Sequence, residues 1–378
     1  MSRDFICLMC PNGCHLITTL KSDGAVEVVG NRCDKGLGFA RNVLKSEGLK
    51  PVGRIISGKA RPSYPQATLR EIAKFWGISL KAIRTNLIPE GSPERTVFRV
   101  VLEDEDKRFF TLEEIVPGSY HNKMRIIRTL ESLSQKGMGK IAPYRLGAEE
   151  QYIQKYTEGF WQLVPFVPGV ALDRERYLYE GWRAKGLSAF LIELRQKTLG
   201  DPFFSQDKSF SMKTYIYTLL HQIERHHPQI MPRVKEVVLF LGKGFMSVFD
   251  GLPVSFCHGD FHPLNMIWGK DDLHAVIDWE FSGVKPEVYD AANMVGCLGM
   301  EHPSSLISDL VVNFIRDLKA ANLFSGNSWE HFLEFVIALR FAWLSEWLRK
   351  NDEEMISLEL DYMELLIQER EQFYRAWK

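Results

Sequence analysis

The chain has 378 residues, of which 45% are hydrophobic and 25% charged, and its formal net charge is −1. This composition allows two or three domains with buried cores, and the near-zero charge without a basic run argues against nucleic acid as a partner. No apolar stretch is long enough to span a bilayer and no signal peptide is recognisable, so we expect no membrane association and a cytoplasmic location.

Four of the six cysteines lie in the first tenth of the chain. Their spacing is Cys-x-x-Cys-x-x-x-Cys, followed by a fourth cysteine after eighteen further residues. In a reducing cytosol such crowding indicates metal ligation and not disulfides. Residues 16–20 and 25–29 are predicted to form a hairpin that brings the last cysteine beside the others. The predicted ligands are Cys7, Cys10, Cys14 and Cys33.

The cysteine spacing leaves more than one interpretation of the bound metal. Three clustered cysteines and one distant one favour a [4Fe–4S] cluster, zinc is the alternative, and free thiols on an arm are a third interpretation. The segment resembles the N-terminal cluster-binding segment of molybdopterin oxidoreductases. It is still more similar to a small uncharacterised bacterial domain with the pattern Cys-x-x-Cys-Pro-x-Gly-Cys, then Gly-Asn-x-Cys-x-x-Gly. We predict a four-cysteine metal-binding module over residues 1–50, with an unknown protein partner.

A linker and a small β-rich region are predicted next. Residues 51–68 contain Pro51, Pro62 and Pro65, which is typical of a linker. Hydrophobic periodicity then predicts one helix and three strands, a second helix and a further strand. Their ranges are 69–76, 80–87, 95–102, 108–115, 124–135 and 160–167.

The most informative motif follows an apolar run at residues 252–257. It reads His258-Gly-Asp-Phe-His-Pro-Leu-Asn265, and after a short hairpin the next strand ends at Ile277-Asp-Trp-Glu280. A phosphoryl transfer to a hydroxyl needs a group that orients the hydroxyl and accepts its proton, which Asp260 can provide. Mg²⁺ on the nucleotide phosphates needs hard oxygen ligands, which Asn265 and Asp278 can supply. The spacing therefore predicts one Mg²⁺-assisted phosphoryl-transfer site.

These residues, with Tyr289-Asp-Ala-Ala-Asn293 beyond them, resemble the aminoglycoside phosphotransferase and choline kinase superfamily. The resemblance extends more weakly from about residue 67 to the C-terminus. It implies an α+β, bilobal, protein-kinase-like fold. The small β-rich N-lobe would span residues 69–163, and the mostly helical C-lobe residues 164–378.

The resemblance also implies roles for individual residues. Asp260 would be the catalytic base, Asn265 and Asp278 would hold Mg²⁺, and ATP or GTP would be the phosphoryl donor. The remaining candidates are nucleotide-binding Gly91, Ser92 and Phe166, structural His258, Asp290 and Glu131, and acceptor-pocket Glu280, Trp343, Glu346 and Trp347.

The sequence departs from the family pattern in the N-lobe. Relatives place a phosphate-binding lysine on the third strand, paired with a helix glutamate, whereas residues 108–115 offer Leu112 and Glu113 at that place. The phosphate loop is also thin, since Gly91 and Ser92 are followed by Pro93. The basic residues that could substitute are Lys107, Arg108, Lys123 and Arg125.

Three functions stay open at this point. The first is a small-molecule kinase whose acceptor is an alcohol, a sugar or an aminoglycoside. The second is a pseudokinase scaffold, suggested by the missing lysine. The third is a redox-sensing protein in which an iron–sulfur cluster is the working part. In the C-lobe, Asp173 is predicted to cap a helix that carries Leu187 and Leu191 on its buried face.

Overall fold

A computed structural model describes residues 64–87, 95–206 and 210–378, together with three strands near the N-terminus. The chain divides into two compact units, with the boundary between Pro168 and Gly169.

The three N-terminal strands are Ser2–Ile6 (β1), His15–Leu20 (β2) and Val26–Val29 (β3), in the order β1-β2-β3. Strands β2 and β3 run antiparallel, with Ile17 opposite Val29. This pairing is the hairpin that the sequence predicted. Cys7, Cys10, Cys14 and Cys33 lie outside the described residues, so the four-cysteine module stays a prediction.

The rest of the first unit is a five-stranded antiparallel sheet in the order β4-β5-β6-β8-β7, with two helices. One more strand is present than the sequence predicted, at Ile153–Tyr156. The elements are Gln66–Ala73 (α1), Leu80–Ile83 (β4), Thr96–Asp104 (β5), Phe109–Ile115 (β6), Tyr120–Gln135 (α2), Ile153–Tyr156 (β7) and Gly159–Pro165 (β8).

Several predicted bounds were wrong. The strand predicted at 80–87 stops at Ile83, because the chain turns after it at residues 85–87. The helix predicted from residue 124 already begins at Tyr120, and it follows a turn that starts at Pro117. Proline has a fixed φ and lacks an N–H, so it favours such a start.

The two faces of this sheet pack against different helices. On one face Leu112, Leu163 and Trp161 pack against Leu69 and Ile72 of α1 in an apolar core. On the other face Ile115 packs against Ile127 of α2 and Ile153 of β7. Because side chains alternate along a strand, Glu113 shares the second face with Ile115.

The second unit is mainly helical. Its strands form two separate antiparallel pairs, β10 with β11 and β12 with β9. Its elements are Arg183–Thr198 (α3), Met212–His226 (α4), Met231–Gly242 (α5), Phe245–Val248 (α6), Val254–Cys257 (β9), Met266–Trp268 (β10), Leu273–Val276 (β11), Gly283–Pro286 (β12), Tyr289–Glu301 (α7), Asp309–Ala320 (α8), Gly326–Glu330 (α9), Phe332–Lys350 (α10), Glu353–Gln368 (α11) and Arg370–Ala376 (α12).

The capping role predicted for Asp173 was wrong. Its carboxylate accepts backbone N–H groups of Glu175 and Arg176, which closes a turn, while the helix carrying Leu187 begins only at Arg183. Asp173 therefore orders the connection that leads to that helix. No helix among the described residues is both long and apolar enough to cross a membrane.

Candidate active site

The motif loop is anchored by Asp290, in the first turn of α7. Its two carboxylate oxygens accept the backbone N–H groups of His258 at 2.7 Å and Gly259 at 2.8 Å. Burial raises the pKa of Asp290 to about 6, against the lowering effect of these two hydrogen bonds. Asp290 thus fixes the backbone immediately before Asp260.

Gly259 is required by the backbone geometry. Its φ is +83°, and a Cβ built on it would lie 2.1 Å from the carbonyl oxygen of Phe281 and 2.6 Å from Cε of Lys285. An L side chain would be strained by the φ value and would also collide with a main-chain atom. The tight loop therefore packs directly on the segment that follows Asp278.

His258 links the loop to the second half of the motif. Its ring is fully buried and edge-on to Trp279, with 4.6 Å between the ring centroids. Nε2 lies 3.0 Å from the carbonyl oxygen of Ile277, and Nδ1 accepts the backbone N–H of Asp260 at 3.3 Å. These partners define a neutral ring with its proton on Nε2. Burial accordingly lowers the pKa of His258 to about 4.

Asp260 and Asn265 are in direct contact. The Asn265 amide Nδ2 donates to the Asp260 carbonyl oxygen at 2.8 Å and to its Oδ2 at 3.2 Å. Asn265 belongs to a one-turn 3-10 helix that Pro263 begins, and this turn brings it back toward Asp260. Because the Asn265 NH2 group points to Asp260, its carbonyl oxygen is the atom suited to a cation.

Asp278 reaches the same region from the neighbouring strand pair. The backbone N–H of Ile277 donates to the backbone carbonyl oxygen of Asn265 at 2.9 Å, so Asp278 directly follows a residue whose backbone is bonded to Asn265. Its φ of +61° is unusual for a residue other than glycine, and such conformations concentrate at functional sites. The structure therefore brings Asp260, Asn265 and Asp278 together around one loop.

His262 is a site residue that the sequence analysis missed. Its Nε2 lies 3.6 Å from Oδ1 of Asp260. Burial alone would lower the pKa of His262, but the charge and hydrogen bond of Asp260 and the charge of Asp278 together raise it above the ordinary value. Burial alone would raise the pKa of Asp260, but the charge and hydrogen bond of His262 and the hydrogen bond from Asn265 together lower it below the ordinary value. The signal was present in the sequence, since His262 stands two residues after Asp260.

The candidate acceptor-pocket residues have different neighbours in the structure. The Trp343 ring lies edge-on to the His262 ring, with 6.1 Å between the ring centroids, beside the motif loop. Trp347 stacks on Trp343 and donates Nε1 to Glu359. The Glu346 carboxylate accepts from Arg349 at 2.6 Å, an ion pair that competes with any cationic ligand.

The remaining predicted residues lie at other places in the chain. Glu280 is 5% exposed, in the 3-10 turn that follows Asp278. In the first unit, Glu131 accepts the hydroxyl hydrogen bond of Tyr152 at 2.6 Å. The Phe166 backbone N–H donates to the Phe109 carbonyl oxygen at 2.9 Å, just beyond β8. Gly91 and Ser92 lie outside the described residues.

The candidate metal site is sparse in carboxylates. Among the residues with described positions, no three His, Cys, Asp or Glu side chains converge as a metal-binding group. Mg²⁺ at nucleotide sites is commonly held by one or two carboxylates together with substrate phosphates and water. Asp278 and the Asn265 amide would supply one carboxylate and one neutral oxygen to such a site.

Several solved structures share the fold. Amicoumacin kinase, in complex with AMP-PNP, Ca²⁺ and Ami, has a TM-score of 0.57 at 12% identity and covers 80% of this chain and 93% of its own. An aminoglycoside phosphotransferase from Alicyclobacillus acidocaldarius has a TM-score of 0.57 at 14% identity, covering 86% and 98%. The GDP complex of aminoglycoside 2'-phosphotransferase-IIIa has a TM-score of 0.56 at 16% identity, covering 79% and 97%.

These likenesses confirm the α+β kinase-like fold, with an antiparallel N-terminal sheet and a helical C-terminal part. No protein in the curated comparison matches the chain. The model of the phosphotransferase enzyme family matches residues 86–325, which is more than half of the chain. The chain therefore belongs to the phosphotransferase enzyme family.

Proposed function

We propose that this protein is a Mg²⁺-dependent small-molecule kinase that transfers the γ-phosphate of ATP or GTP to a hydroxyl group. The observation that carries the proposal is the contact of Asn265 with Asp260, with Asp278 tied to the same loop through Ile277. This combines an oxygen base with two oxygen ligands of the kind that phosphoryl transfer requires.

Asp260 is proposed to orient the acceptor hydroxyl and to accept its proton. The low pKa of its carboxylate, caused mainly by His262 against the effect of burial, keeps it ionised and acceptor-only near neutral pH. Such a carboxylate is a weak base, which suits a loose transition state in which the hydroxyl loses its proton late. Positioning is then its main contribution.

Asn265 and Asp278 are proposed to hold Mg²⁺. A metal held there would neutralise charge on the nucleotide phosphates. The hydrogen bond from Asn265 to Asp260 couples the base to this ligand set. Structures of similar fold include complexes with AMP-PNP and Ca²⁺ and with GDP, which supports a nucleotide donor.

The acceptor is proposed to be a small hydroxyl-bearing molecule of the metabolite or aminoglycoside kind. A solved structure of similar fold is a spectinomycin phosphotransferase in complex with ADP and spectinomycin. Trp343 supports an acceptor with an apolar or cationic surface, because its indole lies beside His262 at the catalytic loop.

The test is a screen of hydroxyl-bearing compounds for nucleotide consumption by the wild type and by Asp260→Asn. We expect at least one compound to be phosphorylated, and turnover to fall by about 10²–10⁴-fold in the variant. The matched control is Asp271→Asn, which changes an exposed aspartate in the β10–β11 turn and should leave turnover unchanged. Turnover by Asp260→Asn equal to that of the wild type would refute the assignment.

A nucleotide-binding scaffold without transferase activity is the second candidate. It is favoured by one observation, the carboxylate of Glu113 at the strand position where relatives have a phosphate-binding lysine. A wild type whose melting temperature rises with Mg²⁺ and nucleotide, but which phosphorylates no compound of the screen, would decide for the scaffold. A redox-sensing role depends on the N-terminal cysteines, and the metal content of the purified protein tests it.

A further inference from the structure

The polar cluster around Glu113 lies on the sheet face that also packs against α2. Glu113 is in β6, the third strand of the unit's sheet, and its neighbours across the sheet are Arg99 on β5 and Gln162 on β8. Its Oε1 accepts from Nη2 of Arg99 at 2.7 Å, and its Oε2 accepts from Nε2 of Gln162 at 2.5 Å. Thr96 donates its hydroxyl to the same carboxylate. The Glu113 carboxylate thus accepts hydrogen bonds from side chains of both neighbouring strands.

Lys123 of α2 completes this cluster. Ile115, two residues beyond Glu113, packs against Ile127 of α2, so the helix lies on the sheet face that carries Glu113. Lys123 is buried in the same helix, and its charge acts on Glu113. Burial alone would raise the pKa of Glu113, but the charges of Lys123 and Arg99 and the hydrogen bonds from Thr96 and Arg99 together hold it at about 2.

The positions of the other basic candidates separate them from this cluster. Lys107 is exposed in the β5–β6 turn, six residues or about 20 Å along the strand from Glu113. Arg108 is paired with Asp104 at 2.7 Å and Asp106 at 2.6 Å. Arg125 donates to Asn122 at 3.1 Å. Of the four candidates, Lys123 alone is both buried and close enough for its charge to act on Glu113.

We propose that the strand–helix ion pair of this kinase-like lobe is present with its polarity reversed, and that Lys123 is the cation that binds the nucleotide phosphates. This inference rests on the proposed kinase function. Glu113 orients Lys123 from the strand, and Arg99 neutralises Glu113. The three side chains together carry one net positive charge, so the cluster attracts phosphate despite the carboxylate on the strand.

The experiment measures the affinity of the full chain for Mg-ATP and Mg-GTP and for the parent nucleosides, by calorimetry. The variants are Lys123→Met, which keeps the length of the side chain and removes its charge, and Lys123→Arg, which keeps the charge. Arg128→Met is the matched control, because Arg128 is an exposed residue of the same helix.

We expect Lys123→Met to weaken triphosphate binding by about tenfold or more while nucleoside binding changes by less than about twofold. Lys123→Arg and Arg128→Met should stay within about threefold of the wild type for both ligands. The loss must follow the number of phosphates, since a cation that binds phosphate has no contact with the base or the ribose.

Two results would overturn this inference alone: triphosphate binding by Lys123→Met equal to that of the wild type, or an equal loss for triphosphate and nucleoside, which indicates a purely structural lysine. A wild type that binds neither nucleotide with Mg²⁺ would overturn the proposed function together with this inference. Because nucleoside binding reports an intact unit, misfolding of Lys123→Met is recognised directly.

Discussion

The motif loop and the Glu113 cluster each hold a carboxylate through side-chain partners, but these partners lie at very different distances in the sequence. In the loop, Asp260 is held by Asn265, five residues away, and by the neighbouring His262. In the cluster, Glu113 is held by Arg99 and Gln162, which are 14 and 49 residues away. Partners that are close in the sequence form a recognisable sequence motif, whereas partners on neighbouring strands of a sheet leave almost no pattern in the sequence.

The largest effect is expected from breaking the loop itself, with Gly259→Ala. The added methyl group meets the carbonyl oxygen of Phe281 and the residue keeps a φ of +83°, so we expect a loss of about 3 kcal/mol or more in the free energy of unfolding. Denaturant unfolding of the variant measures this loss.

Gly251→Ala is the control, because a Cβ at Gly251 meets nothing within 4 Å. It should change stability by less than about 1 kcal/mol. Equal effects of the two substitutions would show that the loop does not depend on the close approach to Phe281.

A fall in pH should reduce the free energy of unfolding through each of the two regions in a different pH range. Folded His258 has a pKa of about 4, below the ordinary value, so the unfolded chain takes up a proton that the folded chain refuses as the pH falls from about 6.5 to about 4. The pKa of folded Glu113, about 2, is also below its ordinary value, so its contribution is lost at lower pH, between about 4.5 and about 2. Both groups therefore lose stability on acidification, in different pH windows.

The variants His258→Gln and Glu113→Gln each remove one titration. The stability of the wild type relative to His258→Gln should fall by up to about 3 kcal/mol between pH 6.5 and pH 4. Relative to Glu113→Gln, the fall should come below pH 4.5. Unfolding free energies measured across this pH range test both windows, and a single common window would contradict the assignment of the two groups.

A smaller effect is expected at Trp343. Its indole lies beside His262, so Trp343→Ala should raise the KM for the acceptor found in the screen by about tenfold and leave the KM for the nucleotide unchanged. Trp329→Ala, which removes an indole packed against Phe324 and Phe332, is the control for loss of a large ring. A rise in the nucleotide KM instead would place Trp343 on the donor side.

Much of the fold followed from the sequence, and the reasons for success are local. The strands of the hairpin between Asn265 and Asp278 are apolar runs joined by a polar turn, and they formed as Met266–Trp268 and Leu273–Val276. The strands Ile153–Tyr156 and Gly283–Pro286 were missed, because each has only four residues and contains lysine. Their pairing partners, not their own composition, make them strands.

The site shows the same division. The spacing of Asp260, Asn265 and Asp278 identified residues that the structure brings together, because one loop and one hairpin suffice to do so. The sequence left four basic residues as equal candidates for the missing lysine, since the choice depends on which of them faces Glu113 across a helix–sheet interface. The sequence suggested that Glu346 binds a cationic acceptor, but in the structure its carboxylate is paired with Arg349 of the same helix.

In the proposed mechanism Asn265 and Asp278 hold the metal, and Asp260 orients the acceptor hydroxyl and accepts its proton. The direct measurement is the binding of Mn²⁺, as a paramagnetic substitute for Mg²⁺, in the presence of nucleotide, alongside turnover with Mg²⁺, for Asp278→Asn and Asp260→Asn. We predict that turnover is lost in both variants, whereas nucleotide-dependent Mn²⁺ binding is lost in Asp278→Asn and retained in Asp260→Asn. Undiminished Mn²⁺ binding by Asp278→Asn would contradict the account.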